Sequence, residues 1–534
     1  MKKKINFFVA TIAMFITITN AGHARTTKGT EFWVGFMENL TLSFNGPPQF
    51  TLNITSDVAT SGVLTVPYTG YSQTFTVAPS QVTQVTLPQG IYYPQGDETV
   101  ANNGIKITAN DPIEVTAFHY RAYFTESSIA LPITELGTDY LVIAQKDTNS
   151  FSPSEFIVVA TEDSTTIEII PSVVTVSTRP AGVPFTKLLM KGQVYQVQAY
   201  GDLTGTSVRS VSPVKKIAVF GGARQAYVGC SLNADSHVYD QLYPFSNWGT
   251  SYSLIPFYTH SGDYFKIVAS QNGTIVSLAS GANYNLNKGQ FVDVFLNATD
   301  IVIANNPIAV AQISTSQDCN PSLFAKGDPN MIVLVPNNLL KKKTTFYTPT
   351  YITLSTLAVT FPQHFINILV PNSGVPLITL DGISISSSFA PLPNSSSFSY
   401  ATIILDTLGL LTHTLQCDSG FNAFTYGFWD YNSYSHHFGF HQDTSTGLNE
   451  FFPENNITLF PNPTSDLLQI KSSIAIQSVT IYDCLGNQCV IKSNIGSKTP
   501  LVNLTNLASG LYLCKITFQN TTIPVVFRKF HKTF

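Results

Sequence analysis

Charged residues are scarce in this sequence. Asp, Glu, Lys and Arg make up 11% of the 534 residues, roughly half the share usual in soluble proteins. The 28 basic and 32 acidic side chains give a net charge of −4, which provides no polybasic surface for nucleic acid or anionic lipid. After the N-terminus there is also no stretch of about 20 apolar residues. We therefore expect no nucleic-acid partner and no transmembrane segment in the mature chain.

Motifs of catalysis and metal binding are missing as well. The sequence contains no GxSxG, HExxH, Walker, GxGxxG or EF-hand pattern. Its six cysteines form no CxxC pair, and their wide spacing does not fit a disulfide-dense miniprotein. We therefore predict no catalytic residue, no cofactor and no metal ion.

The residues that are abundant suit strands. Apolar residues reach 44%, and Thr, Ser, Asn, Val and Ile fill much of the remainder, as in half-buried strands joined by polar turns. No stretch keeps a 3.6-residue apolar period for more than two turns, so we expect little helix. The length exceeds what one hydrophobic core normally supports, which predicts several domains or repeats.

The N-terminus has the three parts of a secretory signal peptide. Lys2 to Lys4 form a positive region, and Ile5 to Ile18 form an apolar core. Gly22 and Ala24 occupy the −3 and −1 positions of a cleavage site. The apolar core is too short to span a membrane, so residues 1–24 are predicted to be a signal peptide. Export also permits disulfides.

Four related segments indicate an internal repeat. They are "IKITANDPIEVTAF" from Ile105, "SVRSVSPVKKIAVF" from Ser207, "DIVIANNPIAVAQI" from Asp300 and, more weakly, "TLQCDSGFNAFTYG" from Thr414. The first three predict a strand, a proline-containing turn at 110–112, 211–213 and 305–307, and a second strand. A further strand begins upstream of each segment, at Phe50, Phe156, Phe265 and Phe365.

These repeats predict an all-β body over residues 25–442. We expect four diverged units, about 26–125, 126–230, 231–325 and 326–442, each with six or seven short strands. The units could be tandem β-sandwich-like modules or propeller-like blades, and the sequence does not separate the two arrangements. Polar residues 443–455 read as a linker. Residues 456–534 then form a small Ig-like β-sandwich.

The C-terminal unit resembles the type A sorting domain of the Bacteroidetes type IX secretion system. Three phrases carry the resemblance in order: "LFPNPTSDLLQI", "SVTIYDCLGNQCV" and "NLTNLASGLYLCKI", followed by a basic ending. The matching motif residues are Pro461, Asn462, Pro463, Asp483, Gly486, Leu507, Gly510, Tyr512, Arg528 and Lys529. The resemblance implies type IX machinery as a partner, removal of this domain, and an extracellular or outer cell-surface location after export to the periplasm.

The body resembles the IgGFc-binding protein N-terminal domain family. The phrases that carry the resemblance are "GTEFWVGF", "SHVYDQLYPFSNWGTSYSLIPF", "GDYFKIVAS", "GDPNMIVLVP" and "GFNAFTYGF". His237, Asp240, Gln241 and Leu242 stand where the family shows His, Glu, Gln and Leu. The resemblance implies a secreted, non-enzymatic binding or adhesion module. The antibody binding of one animal member does not transfer by fold alone.

Several residues that could suggest chemistry have plainer interpretations. Ser419, in the phrase "CDSG", is superficially similar to a serine-protease nucleophile but lies in a repeat turn, and catalysis would need a His base beside it. Asp263 and Asp328 follow glycines and fit turn capping better than an acid pair. His437 and His441 would share a strand face while His436 points away, and a metal site there would need another ligand.

The tryptophans and cysteines are assigned to packing. We expect Trp33, Trp248 and Trp429 to be buried rather than to stack on a ligand. Cys230 and Cys319 lie in corresponding regions flanking the third repeat and could form a disulfide. Cys484 and Cys489 could face each other across a hairpin or remain as thiols.

The functional prediction is a secreted or cell-surface binding and adhesion protein that is not an enzyme. Its partner would be an extracellular protein, glycoprotein or mucin, recognised through loops and exposed strand faces. Two alternatives stay open: a secreted hydrolase such as a glycosidase or peptidase, and a structural component of an extracellular layer. A cleft with two carboxylates about 5 to 10 Å apart would favour the glycosidase.

Overall fold

Antiparallel strands fill the computed structural model, which confirms the expected all-β class. The structure describes residues 25–40, 46–90, 92–230, 234–319, 326–349, 351–353, 358–405, 411–442, 457–472, 475–483, 487–518 and 526–533. The predicted signal peptide and linker lie outside these ranges. Within them the helices are four short 3-10 turns, Phe245–Asn247, Gln317–Cys319, Asn372–Leu377 and Ser386–Ser388. The chain divides into two units, residues 1–444 and 445–534.

The first unit repeats one strand plan four times. Each repeat is built on one long strand. The first half of this strand pairs with the strand that begins the repeat, called the opening strand, and with a strand from a hairpin. The second half pairs with a further strand and with the strand that ends the repeat, called the closing strand. The alternation of buried and exposed residues along the first halves fits a sheet with one solvated face. The second halves are buried on both faces.

The first two repeats contain strands β1 to β17. Their bounds are β1 Arg25–Thr26, β2 Gly29–Val34, β3 Gln49–Ser56, β4 Thr60–Val66, β5 Tyr71–Val77, β6 Thr83–Thr86, β7 Val100–Ala101, β8 Ile105–Tyr120, β9 Glu126–Ala130, β10 Asp139–Leu141, β11 Ser154–Ala160, β12 Thr165–Ile170, β13 Phe185–Leu189, β14 Val194–Ala199, β15 Ser207–Val211, β16 Ile217–Ala226 and β17 Ser236–Gln241.

The third and fourth repeats contain strands β18 to β35. Their bounds are β18 Gly249–Leu254, β19 Asp263–Ala269, β20 Thr274–Leu278, β21 Asn283–Leu286, β22 Phe291–Leu296, β23 Asp300–Ser314, β24 Met331–Val333, β25 Lys341–Tyr347, β26 Tyr351–Thr353, β27 Ala358–Thr360, β28 Gln363–Pro371, β29 Thr379–Leu380, β30 Ile383–Ser384, β31 Ala390–Pro391, β32 Phe398–Ile404, β33 Thr412–Trp429, β34 Asn432–His437 and β35 His441–Gln442.

The predicted proline turns at 110–112 and 305–307 are wrong. Both segments lie inside continuous long strands, β8 and β23. The pairing register shifts there, because the partner strands change from one half of the long strand to the other. A proline at such an irregularity removes no N–H that the ladder needs. Only the second repeat breaks its long strand at this point, between β15 and β16.

The repeats are arranged radially. The closing strands β9, β17, β24 and β34 each pack against the next, and β34 packs against β9. The strand pair β1–β35 joins the two ends of the first unit, with Thr26 opposite His441. Each closing strand pairs with the long strand that precedes it in sequence and so belongs to the sheet of that strand. The repeats therefore end one strand later than the predicted boundaries after residues 125, 230 and 325. At these boundaries, buried polar residues interrupt the alternation of apolar and polar side chains from which strands are predicted.

A glycine–proline contact joins each of the first three closing segments to an opening strand. A Cβ added at Gly29, Gly137 or Gly249 would lie 2.3, 2.3 or 2.4 Å from the Cβ of Pro132, Pro244 or Pro336. In the second repeat the Gly137 N–H donates to the Tyr140 hydroxyl, 2.8 Å away, and that hydroxyl donates to the Ile217 carbonyl. Tyr252 repeats the arrangement in the third.

The second unit is a small sandwich. Its two sheets share one apolar core that includes Leu468, Ile481 and Ile516. The sheets contain β36 Thr458–Phe460, β37 Leu467–Lys471, β38 Ile476–Tyr482, β39 Gln488–Ser497, β40 Leu501–Asn503, β41 Gly510–Phe518 and β42 Val526–Lys532.

The glycine–proline joint can be tested with Gly249→Ala. The added Cβ would overlap Pro336, so we expect the free energy of unfolding to fall by about 1–3 kcal/mol. The matched control is Gly90→Ala, whose Cβ would meet only the Tyr92 ring at 3.3 Å. Thermal unfolding midpoints check the difference. Equal midpoints for the two variants would contradict this account of the joint.

Candidate functional site

Four hairpin loops lie together at one end of the first unit. They join each long strand to its closing strand and span residues 121–125, 227–235, 315–330 and 430–431; of the second and third, residues 231–233 and 320–325 lie outside the described ranges. Contacts between the loops place them together: the second is bonded to the third through Cys230 and Cys319, and the fourth contacts the first through Asn432 and the third through Tyr431. The closing strands that leave these loops therefore run in the same direction. We call this end the loop face.

Two further loops reach the same end. The segments 142–153 and 255–262 lead into β11 and β19, whose first residues pair with the last part of the long strands. The ends of β14 and β22 lie there too, since Ala199 is opposite Ser154 and Leu296 is opposite Asp263. The loop face therefore combines loops from all four repeats.

A disulfide braces the second loop against the third. Cys230 and Cys319 are bonded, with a Cα–Cα distance of 5.6 Å and a sequence separation of 89. Beside the bond, the Val228 N–H donates to the Ser316 hydroxyl over 3.0 Å, and the Ser316 N–H donates to the Val228 carbonyl over 2.9 Å. A cross-link over so long a segment restricts the unfolded chain.

Side-chain hydrogen bonds brace the fourth loop against the first and third. The Tyr123 N–H donates to Asn432 Oδ1 at 2.9 Å. Gln317 accepts from the Tyr431 N–H through Oε1 at 3.0 Å and donates to Asp430 through Nε2 at 3.1 Å. Lys326 forms an ion pair with Asp430 at 2.6 Å. These loops are thus held to one another.

Exposed aromatic side chains concentrate on the loop face. Seven aromatic side chains are strongly exposed among the described residues of the first unit, and all but Tyr68 lie at this end. They are Tyr123, Phe151, Tyr200, Tyr258, Phe295 and Trp429, exposed by 38%, 78%, 54%, 48%, 46% and 37%. Large exposed aromatic groups on rigid loops are typical of binding surfaces.

Two of the three tryptophans are buried and one is exposed. Trp33 and Trp248 are buried, and their indole N–H groups donate to Glu31 and to the Tyr243 carbonyl. Trp429 is exposed at the tip of the fourth loop, so its predicted burial is wrong. It ends the long strand β33, where the sheet has no further neighbour to cover it.

Backbone strain accompanies these aromatic residues. Tyr123 and Tyr431 have φ values of 72° and 55°, and Ser150 and Thr259, next to Phe151 and Tyr258, have 56° and 76°. The left-handed region costs a side chain with a Cβ roughly 1–2 kcal/mol. Such conformations persist where surrounding contacts fix them, and seven further non-glycine residues of the chain have a positive φ at other positions.

The loop before β11 shows how one aromatic group is presented. The buried carboxylate of Asp147 accepts from the N–H groups of Phe151 at 2.7 Å and Tyr227 at 3.0 Å. Thr148 also bonds to the Tyr227 carbonyl. The loop closes around this carboxylate, which leaves the Phe151 ring in solvent.

Below the loop face, polar side chains occupy the axis between the closing strands. The Asp240 carboxylate accepts from the Ser128 hydroxyl at 2.6 Å and from the Val333 N–H at 2.7 Å, on two neighbouring repeats. Gln241 Oε1 accepts from the Leu131 N–H at 2.7 Å. The family-like residues Asp240 and Gln241 are thus structural. Burial raises the pKa of Asp240 to about 7.

Glu126 extends this network to the loop end. It is fully buried, and Oε1 accepts from the Met331 N–H at 3.1 Å. Burial raises its pKa well above the usual value. On the opposite side, Ser127 donates to the Ser435 carbonyl at 2.9 Å and contacts His436 Nδ1 at 2.9 Å. All four closing strands are linked in this way.

Carboxylates come together in pairs around a shared side chain, without a cleft between them: Asp202 and Asp293 lie 2.6 and 3.2 Å from Lys266 Nζ, and Glu38 and Glu155 share Gln198. Gln198 Nε2 donates to Glu155 at 2.7 Å and to Glu38 at 3.0 Å, and so fills the space between them. Glu155 is fully buried, and burial raises its pKa well above the usual value. Glu38 pairs with Arg224 at 3.4 Å. A substrate could not enter between two acids that share one amide.

The histidine cluster is also structural. The strand β34 ends at His437, so the predicted shared face of His437 and His441 is wrong. His437 Nε2 contacts Asn422 Oδ1 at 2.7 Å, and Nδ1 accepts from the Gly439 N–H at 2.9 Å. Burial lowers the pKa of His436 and His437 to about 3. The adjoining cavity of about 20 Å³ has room for one water.

The remaining candidates brace loops or bends. Asp263 is buried and accepts from the Phe257 N–H at 2.6 Å and from Gln312 at 2.9 Å. Asp328 is buried and accepts from the Gln317 N–H. Ser419 lies at the bend of β33, before Gly420. Within the part of the chain that the structure describes, His, Cys, Asp and Glu form no group of three that could hold a metal ion.

The sorting-motif residues hold the second unit together. Asn462 Oδ1 accepts from the His531 N–H at 2.9 Å, which ties the Pro461–Pro463 segment to the last strand. Asp483 accepts from the Asn487 N–H at 2.9 Å across the hairpin turn.

The later motif residues line the core and the last strand. Leu507 packs at the edge of the core. The Tyr512 hydroxyl donates to the Ala508 carbonyl at 2.8 Å, and its ring stacks on Phe530 at 5.7 Å. Gly510, Arg528 and Lys529 lie in the strand pair β41–β42. Gly486 and Cys484 lie outside the described residues, and Cys489 is an exposed free thiol.

Sequence reasoning missed the loop face as a whole. The sequence did not show these loops to be equivalent, because the closing strands that follow them are short and three of the four, β9, β17 and β34, are rich in polar residues. A signal was present in Pro132, Pro244 and Pro336, which each follow a closing strand.

Four β repeats arranged in a ring, and a separate small β-sandwich, define the class of the protein as repeat-built and all-β. Residues 126–427 match the model of a family described as IgGFc binding protein, and the chain belongs to this family. Residues 458–528 match a model described as a secretion system C-terminal sorting domain. This domain directs the chain by type IX secretion to the cell surface or the extracellular space. No helix in the described ranges is long and apolar enough to cross a membrane.

One curated relative and two solved structures can be compared with the chain. The human IgGFc-binding protein is 25% identical over an alignment of 427 residues that covers 78% of this chain and 8% of the human protein. The chain thus spans less than a tenth of that relative. Dimeric latent PorU from Porphyromonas gingivalis is 10% identical with a TM-score of 0.12, covering 59% of this chain and 31% of PorU. The BSP domain of a biofilm associated protein is 8% identical with a TM-score of 0.13, covering 75% and 82%. Both scores are too low to indicate a shared fold.

The protonation of Asp240 can be tested through pH. Its pKa is about 7 in the folded chain and about 4 when unfolded. The folded state therefore holds a proton that the unfolded state releases, and the free energy of unfolding loses about 1.4 kcal/mol per unit as pH rises between these values. Asp240→Asn should lack this loss.

Calorimetric midpoints at pH 5 and pH 7 check this expectation. Relative to Asp240→Asn, the wild-type midpoint should be lower at pH 7 than at pH 5. The exposed Asp418 provides the control Asp418→Asn, which should keep the wild-type dependence. A constant difference between wild type and Asp240→Asn would mean that Asp240 is ionised at both pH values.

Proposed function

We propose that this chain is a non-enzymatic binding and adhesion protein that recognises an extracellular protein, glycoprotein or mucin through its loop face. The observation that carries the proposal is the set of six exposed aromatic side chains at the loop face, whose loops are braced by a disulfide and side-chain hydrogen bonds. Groups fixed before binding lose little conformational entropy when a partner docks.

The buried polar residues favour binding over hydrolysis. Asp240, Glu126 and His437 have hydrogen-bond partners inside the ring and no access to solvent. The acid pair Glu38 and Glu155 is separated by the Gln198 amide rather than by a space for a sugar and water. The family to which the chain belongs points to binding as well. Antibody is one partner to be tested among several.

Loop-face substitutions should separate this surface from the rest of the unit. Phe151→Ser and Tyr258→Ser remove exposed rings, so we expect each to weaken retention of the partner about fivefold or more. The control Tyr68→Ser removes a ring that is 46% exposed, close to the 48% of Tyr258, and lies away from the loop face. The measurement is retention of mucin, IgG and matrix proteins by the immobilised mature chain. Retention of none at micromolar concentration, or equal losses in all three variants, would contradict the proposal.

The sorting role has its own test. Deleting residues 456–534 removes the sandwich that carries the sorting motif, so the chain should remain in the periplasm instead of reaching the surface. Cell fractionation and surface labelling measure the location. Cys489→Ser, a change at an exposed site of the same unit, should be exported normally. Surface display of the deleted chain would contradict the sorting role.

A further inference from the structure

We propose that Lys266 and Asp293 condense into an amide bond that joins two neighbouring strands of the third repeat. The two residues stand opposite each other on the antiparallel strands β19 and β22. Asp202, in the loop after β14 of the second repeat, carries the protons of the reaction. The inference goes beyond the proposed function, because the bond forms once within the chain and involves no partner.

The Lys266 ammonium is enclosed by two carboxylates and one aromatic ring. Its Nζ lies 2.6 Å from Asp202 Oδ2, and 3.2 and 3.4 Å from the two oxygens of Asp293. The centroid of the Phe291 ring is 4.3 Å away, and the lysine side chain is 1% exposed. Because Nζ is nearly equidistant from both oxygens of Asp293, it lies in front of that carboxyl group. Separations of about 3–3.5 Å are those from which a bond can form directly.

The charges around this lysine do not balance. Two carboxylates surround one ammonium, and the charged groups that act on Asp293 are Lys266 and Asp202. Burial raises the pKa of Asp293, the Lys266 ammonium offsets part of this rise, and the Asp202 carboxylate adds to it. Two acids that share a site favour a proton on one of them. Asp293 is therefore the acid that is held neutral, and a neutral carboxyl group is the form that an amine attacks.

The reaction balances without an added reagent. Asp202 takes one proton from the Lys266 ammonium, and the free amine attacks the carboxyl carbon of Asp293. The Nζ–Cγ bond forms and the Cγ–OH bond breaks. The hydroxyl leaves as water with the proton that Asp202 returns, and Asp202 takes a second proton from the nitrogen as the amide forms. The Asp293 side chain is 41% exposed, so the water can leave to solvent.

The other three repeats have uncharged pairs at the position of Lys266 and Asp293. These pairs are Thr51 with Thr86, Ile157 with Gln196, and Ile366 with Ile403. The strand pair therefore forms without charged side chains. An apolar pair is often at least as stabilising as a buried ion pair, so the fold does not require the charged groups of the third repeat. Their chemistry is then available for another role.

The bond would act on an edge strand. Among the described strands of its sheet, β22 lies at the edge and pairs with β19. Its last residues, including the exposed Phe295, reach the loop face. Edge strands have unpaired backbone groups along one side, and parts of a fold with fewer contacts open first. An amide between Lys266 and Asp293 would fix β22 to the strand beside it.

Intact mass spectrometry of the purified chain 25–534, with its cysteines reduced, tests the proposal. We expect a mass lower than that of the sequence by one water molecule, and a branched peptide joining Lys266 to Asp293 after proteolysis. Lys266→Arg keeps a positive charge beside both acids, but a guanidinium stays protonated and does not attack, so this variant should have the full mass. The matched control is Lys106→Arg, at a lysine that pairs with Glu31 alone at 3.1 Å. It should keep the loss of water.

Asp202→Asn tests the proton carrier. The amide has the size of the carboxylate but does not accept the proton, so most chains should stay unlinked. Complete linkage in this variant would overturn the assignment of Asp202. A full mass for the wild-type chain would overturn the whole proposal, whether or not the variants fold. A loss of water that persists in Lys266→Arg, or a branched peptide that joins other residues, would overturn it as well.

Discussion

The ring depends on hydrogen bonds that the closing strands make through side chains. Four short strands running in the same direction meet at the axis, and each pairs as a ladder only with its own long strand. Asp240 therefore accepts the Val333 N–H of one neighbour and the Ser128 hydroxyl of another. Gln241 and Glu126 do the same for further N–H groups. Buried N–H groups without acceptors would cost about 1–3 kcal/mol each, so these polar side chains are as necessary to the core as apolar ones.

The loop face follows from this arrangement. Because the closing strands share a direction, the loops before them emerge at one end, although they are separated by about 90 residues or more in sequence. The Cys230–Cys319 bond and the contacts of Asn432 and Gln317 then hold neighbouring loops at fixed distances. A rigid core with variable loops at one end is a common solution for recognition. These bonds also hold the backbone of aromatic residues in the left-handed conformation, from which an unconstrained loop would relax.

Sequence patterns predicted the strand class, the fourfold repeat and the sorting domain, because alternation and repeated phrases are local signals. They failed where tertiary pairing outweighs local preference. The Asn–Asp–Pro phrase ending at Pro112 has turn chemistry, yet β8 continues through it because different partners pair on either side. Trp429 looked like a core residue, since nothing local shows that β33 ends there at the surface. Three closing strands, β9, β17 and β34, were missed because their polar residues, such as Asp240, break the apolar alternation on which strand prediction relies, and the fourth, β24, has only three residues.

The buried polar groups also limit which residues can contact a partner molecule. His437 and Asp240 are held by specific partners and lie away from solvent, so their chemistry is used within the fold. Charged residues are few on the surface as well, and this limits recognition through long-range electrostatics. What the surface does offer in excess is aromatic area at the loop face. Tyrosine and tryptophan present large, rigid, partly polar surfaces at low entropic cost, so the recognition proposed above relies on aromatic area rather than on charge.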